Sequence, residues 1–417
     1  MLLSTTPVFT NDAIVLGLLL GALAFVFYTS QLSSWSKFYR IVPPLLLCYF
    51  IPALLNWPLN LISGDISNIY HVSTRYLLPA AIIFLCLSID FKGLLNLGSK
   101  SLIMFITAVM GIVLGGPIAF LSAKYLFPTI IPVEPETLWK GMSTIAGSWI
   151  GGSANQTAMK EIYNVNDSLF GTMLVVDIVV ANIWMGFLLY GASISDKIDL
   201  ALKADNTSIK ILEQKVSDFR KKVEKNPTTT ELIVLMAVGF IGVGLSHLLA
   251  DLTLPFMEQY SELLNTYKLS ALNNSFFWLV FYATTIGLLI SFTKARRLEG
   301  YGASKWGSVF IYILVATIGM KMHLDEVFNN LGLFLIGLIW MIVHVALLFI
   351  VAYLIKAPFF FLAVGSQASV GGAASAPVVA SAFSPSLAPV GVLLAVLGYA
   401  LGTYGALICA QIMASLS

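Results

Sequence analysis

Two short polar stretches interrupt an otherwise apolar chain. The first, GSWIGGSANQT (147–157), brings Ser148, Gly151, Gly152, Ser153, Asn155, Gln156 and Thr157 together. The second, GSQASVGGAAS (365–375), does the same for Ser366, Gln367, Ser369, Gly371, Gly372 and Ser375. Adjacent glycines destabilise a helix interior by about 1 kcal/mol each relative to alanine. Hydroxyl and amide groups add a further cost in hydrocarbon unless they are hydrogen-bonded. Such a stretch is tolerated where the backbone unwinds beside a polar cavity. Unwinding frees N–H groups at the start of the next half-helix, whose positive end attracts an anion. The chemistry this predicts is capture of a small solute, with Pro377 in the first turn of the second half-helix. Packing through small residues accounts for Gly111, Gly115, Gly116, Gly398, Gly402 and Gly405, but poorly for Asn155-Gln156-Thr157.

Asp177 lies in TMLVVDIVVANIW (172–184) with no basic residue close in sequence. An aspartate at a helix centre costs about 2.5–3.5 kcal/mol on insertion scales, so it must face a cavity or a partner. Asp177, with Asn182 and carbonyls of the first break, is expected to take a coupling Na⁺ or H⁺; the alternative is a structural hydrogen bond to a break residue. Lys160 and Glu161 either pair as a gate or reach water, and the second is favoured. His247 and His344 are expected to make helix–helix hydrogen bonds. Cys48, Cys86 and Cys409 sit in apolar runs without CxxC spacing and read as small buried hydrophobes. No resident metal or cofactor is expected beyond the coupling ion. An enzyme is not expected either: no His is tied by sequence to Ser153, and HExxH and paired intramembrane aspartates are absent. No GxxxxGK[ST] stretch is present for ATP.

These residues need elements to hold them in a bilayer. Of 417 residues, 58% are hydrophobic and 11% charged, with a mean hydropathy of +0.88. Soluble domains carry about 25% charged residues, so the fold class is an all-α polytopic membrane protein whose partner is the lipid bilayer. The net charge of +2 comes from basic residues in short loops and implies no nucleic acid. A span needs roughly 20 apolar residues, and candidates fall near 13–29, 41–57, 74–89, 101–123, 168–191, 231–250, 275–293, 306–321, 331–355 and 388–413. Without a basic n-region, the first is read as an uncleaved span.

Element order suggests duplication: a first repeat (1–194), a cytoplasmic amphipathic linker (195–230) and a second repeat (231–417). SIDFKGLLN (88–96) echoes HLDEVFNN (323–330), aligning Asp90 with Asp325, and the Gly-Gly stretches follow in the same order. The linker offers Ile198, Ile209, Leu212, Val216 and Phe219 as an apolar stripe for the membrane surface. If each Gly-Gly segment crosses, Lys and Arg divide 16 to 7 in favour of the linker side; if each re-enters, 17 to 6, out of 23. Both put the linker in the cytoplasm. We favour two inverted repeats, each with about five spans plus a broken or re-entrant Gly-Gly segment, because inversion sets the breaks opposite one another.

GSWIGGSAN and SQASVGGAASAP, in this order and at this separation, resemble the YjcL-like family of bacterial membrane proteins (domain of unknown function 819). That family is similar to the group holding glutamate:sodium symporters, bile-acid:sodium symporters and cation:proton antiporters. The resemblance implies that Gly151, Gly152, Gly371 and Gly372 form a transport site, and that a homodimer assembles through the fixed scaffold, for which we favour the first two spans of each half. The Asp-Asp or Asn-Asp pair of proton antiporters is absent from both breaks. The expected function is secondary transport of a small organic anion or amino-acid-like solute with Na⁺ or H⁺ across the bacterial inner membrane. A cation:proton antiporter is the alternative, and a membrane-embedded enzyme a more distant one.

Overall fold

The computed structural model describes residues 6–39, 42, 44–64, 66–89, 97–131, 133–204, 227–266, 269–321, 332–384 and 387–417. Asp90, Asp325 and the linker stripe beyond Ile198 lie outside these residues. Among the described residues, the regular elements are helical. The principal ones are α1 (Asp12–Ser30), α2 (Pro44–Asn56), α3 (Ile69–Leu87), α4 (Ser99–Tyr125), α5 (Pro135–Ile162), α6 (Asp167–Ser193) and α7 (Ser195–Leu202). After the linker come α8 (Thr229–Glu258), α9 (Ser275–Ser291), α10 (Ala303–Gly319), α11 (Leu333–Leu354), α12 (Phe359–Val370), α13 (Gly372–Phe383) and α14 (Ala388–Leu416). Seven described helices are long and apolar enough to cross a membrane, or up to nine if each bent pair is one span.

Helix starts follow local polar signals at the ends of apolar runs. Asn11, Asn166 and Asn274 accept from the Ala13, Leu169 and Phe276 amides. Thr228 and Glu231 close a reciprocal capping box, satisfying N–H groups that a helix start leaves unpaired. In α7, Ile198 is half-buried, and Asp199 accepts from the Phe359 amide at 2.7 Å, tying the linker's start to α12.

The helices sort into two bundles. α1, α2, α3, α8, α9 and α10 pack on one another, and α4, α5, α6, α11, α12, α13 and α14 form the second group. They meet chiefly where α5 and α14 lie against α3, α9 and α10. The first bundle therefore takes three helices from each half of the chain, the first two spans of each half and the third. The third is included because Gly287 of α9 and Gly307 of α10 leave no room for a Cβ beside Ile83 and Leu85 of α3.

α5 folds back on itself. Gly152 has φ 75° and ψ −173°, outside helical geometry. In a straight helix, residues eight apart are roughly 12 Å apart, yet a Cβ on Gly147 would strike the backbone of Asn155 and Gln156. The Trp139 and Tyr163 rings, which would be roughly 36 Å apart along a straight helix, meet edge to face at 5.0 Å. α12 and α13 do the same around Gly371 and Gly372, the latter with φ 64°. Phe383 lies 6.0 Å from Phe359 and 5.3 Å from Phe360. Each hairpin is symmetric about its glycine pair, Gly151 being midway between Trp139 and Tyr163 and Gly371 midway between Phe359 and Phe383. Pro377 sits beyond the first turn of α13, contrary to the sequence expectation, because the second half-helix begins as early as Gly372.

The mouths of the two hairpins lie at opposite ends of α14. At its C-terminal end, Ser417 donates to Glu136 at the start of α5, and Lys124 of α4 donates to the Leu416 carbonyl at 2.8 Å. Its N-terminal end follows directly from the mouth of the α12–α13 hairpin, where Lys100, at the other end of α4, donates to the Lys356 carbonyl at 3.0 Å.

Candidate functional site

The hairpin tips meet beside the middle of α14, whose small residues permit the approach. A Cβ on Gly402 would strike the Cα of Gly151, and one on Gly398 would press on the Ile150 carbonyl. Ser369 of α12 donates to the Trp149 carbonyl of α5 at 2.6 Å, joining tip to tip. The small-residue packing expected elsewhere is also present, with Gly111 against His344 and Gly115 and Gly116 against Trp340.

Asp177 of α6 is buried at the first tip and holds both arms of α5. Trp149 Nε1–H donates to Oδ1 at 2.6 Å from the first arm, and Gln156 Nε2–H to Oδ2 at 2.9 Å from the second. The Ser148 hydroxyl is also directed at this carboxylate. Asn155 is equally occupied. Its amide donates to the Gly151 and Tyr399 carbonyls, each at 3.0 Å, and its oxygen accepts from Thr403 at 2.5 Å. Thr157 bonds back to the Ser153 carbonyl at 2.9 Å.

Asn182 is not part of this cluster. Its side chain donates to the Ile178 carbonyl of its own helix at 2.7 Å. Five residues along a helix rotate a side chain by about 140° from the starting face, which corrects the expectation that Asn182 shares a side with Asp177.

At the second tip, Ser366 accepts from Trp184 Nε1–H at 2.8 Å and lies 2.8 Å from His344 Nε2, while His344 Nδ1 faces the Ala108 carbonyl at 3.1 Å. Nδ1–H donating to Ala108 leaves Nε2 to accept from the serine, so the set is internally satisfied. A buried hydroxyl already engaged by an indole and enclosed by four helices is a clasp between α4, α6, α11 and α12. His247 likewise bonds across helices, to the Arg75 carbonyl at 2.9 Å. Gln367 donates to Ser375 at 2.7 Å across the α12–α13 turn, and its buried Oε1 has no protein partner.

The sequence-predicted residues thus divide. Ser148, Gly151, Asn155, Gln156, Thr157, Ser366, Ser369 and Asp177 are buried, with Ser369 joining tip to tip and Asp177 and Asn155 bracing the first tip, while Gly152, Ser153, Gly371, Gly372 and Ser375 are partly open. Sequence reasoning missed three aromatic or hydroxyl groups beside that opening. Tyr49 of α2 brings a buried hydroxyl towards Ser153 and Asp177 without closing a normal hydrogen bond. The Tyr399 ring borders Gly152 and its hydroxyl faces the Ala373 amide, and Thr403 braces Asn155. Of these, only Thr403 had a sequence signal, a polar residue beside Gly402 in an apolar helix. One cavity of about 370 Å³ lies at the mouth of α5 instead, between Trp139, Lys140, Tyr163, Asn164 and Asn274.

Lys160 departs from expectation. Rather than reaching water it is 5% exposed, 2.8 Å from Asp167 and 3.5 Å from Glu161, and donates to the Tyr70 hydroxyl at 2.9 Å. Lys321 adds a second contact to Asp167 at 3.3 Å. The three cysteines are buried free thiols.

The profile of a family described as protein of unknown function, DUF819, matches residues 17–416. The chain belongs to that family. It is also similar to the uncharacterized membrane protein YjcL of Bacillus subtilis (strain 168), at 23% identity over 356 residues, covering 81% of this chain and 82% of that one. The DUF819 match encloses both hairpins, α14 and all the tip residues named above. Together with the apolar helices, it makes this chain a multi-pass protein of the bacterial inner membrane.

Proposed function

We propose that this DUF819 chain is a secondary transporter whose solute binds between the two hairpin tips. The observation that carries the reading is the pair of helical hairpins, entering from opposite ends of α14 and meeting tip to tip at Gly151-Gly152 and Gly371-Gly372. Regular hydrogen bonding is given up deep in a membrane protein where backbone lines a cavity or a site. α14 is 29 residues long, about 43 Å, enough to cross a hydrocarbon layer about 30 Å thick, and in this reading its middle marks the midplane. The hairpins then re-enter from opposite faces, and the two halves are inverted repeats. With the linker cytoplasmic, the Lys and Arg on the far face among the described residues are Arg75, Lys124, Lys140, Lys160 and Lys321, few enough to suit the positive-inside rule.

The groups open at the tips suit a small organic anion or an amino-acid-like solute. The α5 second arm and α13 direct half-helix N-termini towards them, an arrangement that attracts a carboxylate. The unpartnered Gln367 Oε1 and Tyr49 hydroxyl supply an acceptor and a donor. Asp177 is the proposed coupling residue for Na⁺ or H⁺. Both its oxygens already hold N–H donors, which favours a solute symporter over a cation:proton antiporter exchanging ions at an open carboxylate.

The test is a thermal-shift screen of the purified protein against carboxylates and amino acids, with and without Na⁺, followed by uptake into proteoliposomes. Binding to the folded state raises the melting temperature by mass action. A solute-dependent shift that is lost in Ser153→Trp supports the site. Dye-reported cation–proton exchange without any solute would instead favour the antiporter.

A further inference from the structure

The same bundle boundary holds a charge cluster with no part in the tip site. Lys160 and Glu161 end the second arm of α5, and Asp167 begins α6; all three belong to the second bundle. Tyr70 of α3 and Lys321, just past α10, belong to the first. Two bundle-to-bundle links converge here. The Tyr70 hydroxyl donates to Glu161 and accepts from Lys160, and Lys321 pairs with Asp167. Lys160 and Lys321 also lie over the Tyr70 ring at 5.0 and 4.7 Å. Asn274, at the start of α9, adds a third link to the Glu161 and Ile162 carbonyls at 3.2 and 2.8 Å.

Two cations and two anions are balanced only while the set is complete. Lys160 is buried and Glu161, Asp167 and Lys321 are partly so; a half-broken set leaves a poorly compensated charge, so such clusters specify one arrangement more than they add stability. The two hairpins differ in the matching way. From Ala154 to Lys160 the second arm of α5 is wholly buried, whereas in α13 Val378 is 52% exposed and Ala382 is exposed. The mouth ties of the second hairpin run to α4 and α7, within its own bundle and the linker, rather than across the boundary.

We infer that the Tyr70–Glu161–Lys160–Asp167–Lys321 cluster is a latch that seals the tip site on the α5-mouth face, leaving the site open towards the linker face in this conformation. Opening the other face requires the Tyr70 and Lys321 links to break together while the Lys160–Asp167 pair travels intact with the second bundle. The inference rests on the carrier reading above.

The test uses the full chain with Cys48, Cys86 and Cys409 replaced and Ser153→Cys introduced, in oriented vesicles, probed with a membrane-impermeant maleimide from each face. The parent labels from the linker face. Tyr70→Phe combined with Lys321→Gln removes the two side-chain links of the latch, leaves the Asn274 link and the Lys160–Asp167 pair in place, and raises labelling from the α5-mouth face several-fold, with an unchanged gel-filtration profile. Should the pair fail to fold, each single variant gives a smaller increase in the same direction. Labelling that stays confined to the linker face in folded variants overturns the latch and leaves the carrier reading standing. If the thiol introduced by Ser153→Cys is unreactive from both faces in parent and variants, there is no cleft, and both readings go with it.

Discussion

At the residue scale, the first tip is governed by how many donors one carboxylate satisfies. Asp177→Asn turns one acceptor into a donor facing Trp149 or Gln156, leaving a buried N–H unpaired at a cost of about 1–3 kcal/mol. We expect a lower melting temperature in detergent and solute uptake that no longer responds to the coupling ion. Uptake with unaltered ion dependence would remove the coupling role. Gly152→Ala places a side chain at φ 75° and ψ −173°, a region essentially confined to glycine and costing about 1–3 kcal/mol otherwise. Since no backbone lies near that Cβ, the strain alone should lower the melting temperature. Asp177 was legible in sequence because a lone charge in a valine-rich run has no local partner. Its partners were not, since they come from two arms of a helix that first has to turn back on itself. Lys160 was misjudged for a related reason: Tyr70 and Lys321 are remote in sequence, and only folding brings them to it.

At the element scale, apolar runs gave most helices to within a few residues, though α8 runs eight residues beyond the expected 231–250, and polar glycine pairs gave the location of the breaks. The reversal of direction at each break follows from the symmetry argument alone, because charge counting does not separate crossing from re-entry and neither stretch encodes it. It depends on one positive-φ glycine per hairpin and on aromatic pairs, Trp139 with Tyr163 and Phe359 with Phe383, separated by 24 residues in each case. The glycine stripe of α14 was legible as a packing surface but not as the surface against which the first tip rests. A methyl at Gly402 would meet Gly151 and the Asn155 side chain, and overpacking of this kind costs about 1–3 kcal/mol. Gly402→Ala should therefore separate the first tip from α14 and reduce both thermal stability and uptake. Gly17→Ala, where nothing lies near the added methyl, should change neither.

At the scale of the whole molecule, the opposed hairpins make a prediction that needs no solute. Lys140, at the mouth of α5, and Lys356, at the mouth of the second hairpin, should face opposite sides of the membrane. Lys140→Cys and Lys356→Cys in a cysteine-free parent should react with an impermeant reagent from opposite faces, Lys356→Cys from the cytoplasm. Reaction of both from one face would mean that each hairpin crosses. The Gly151–Gly402 contact ties the first tip to α14, and the Ser369–Trp149 bond ties the second tip to the first. Swinging either tip like a door would break one of these ties. Under the proposed carrier function, a passenger caught between them would travel with the second bundle past α3, α9 and α10, as a lift car moves in its shaft.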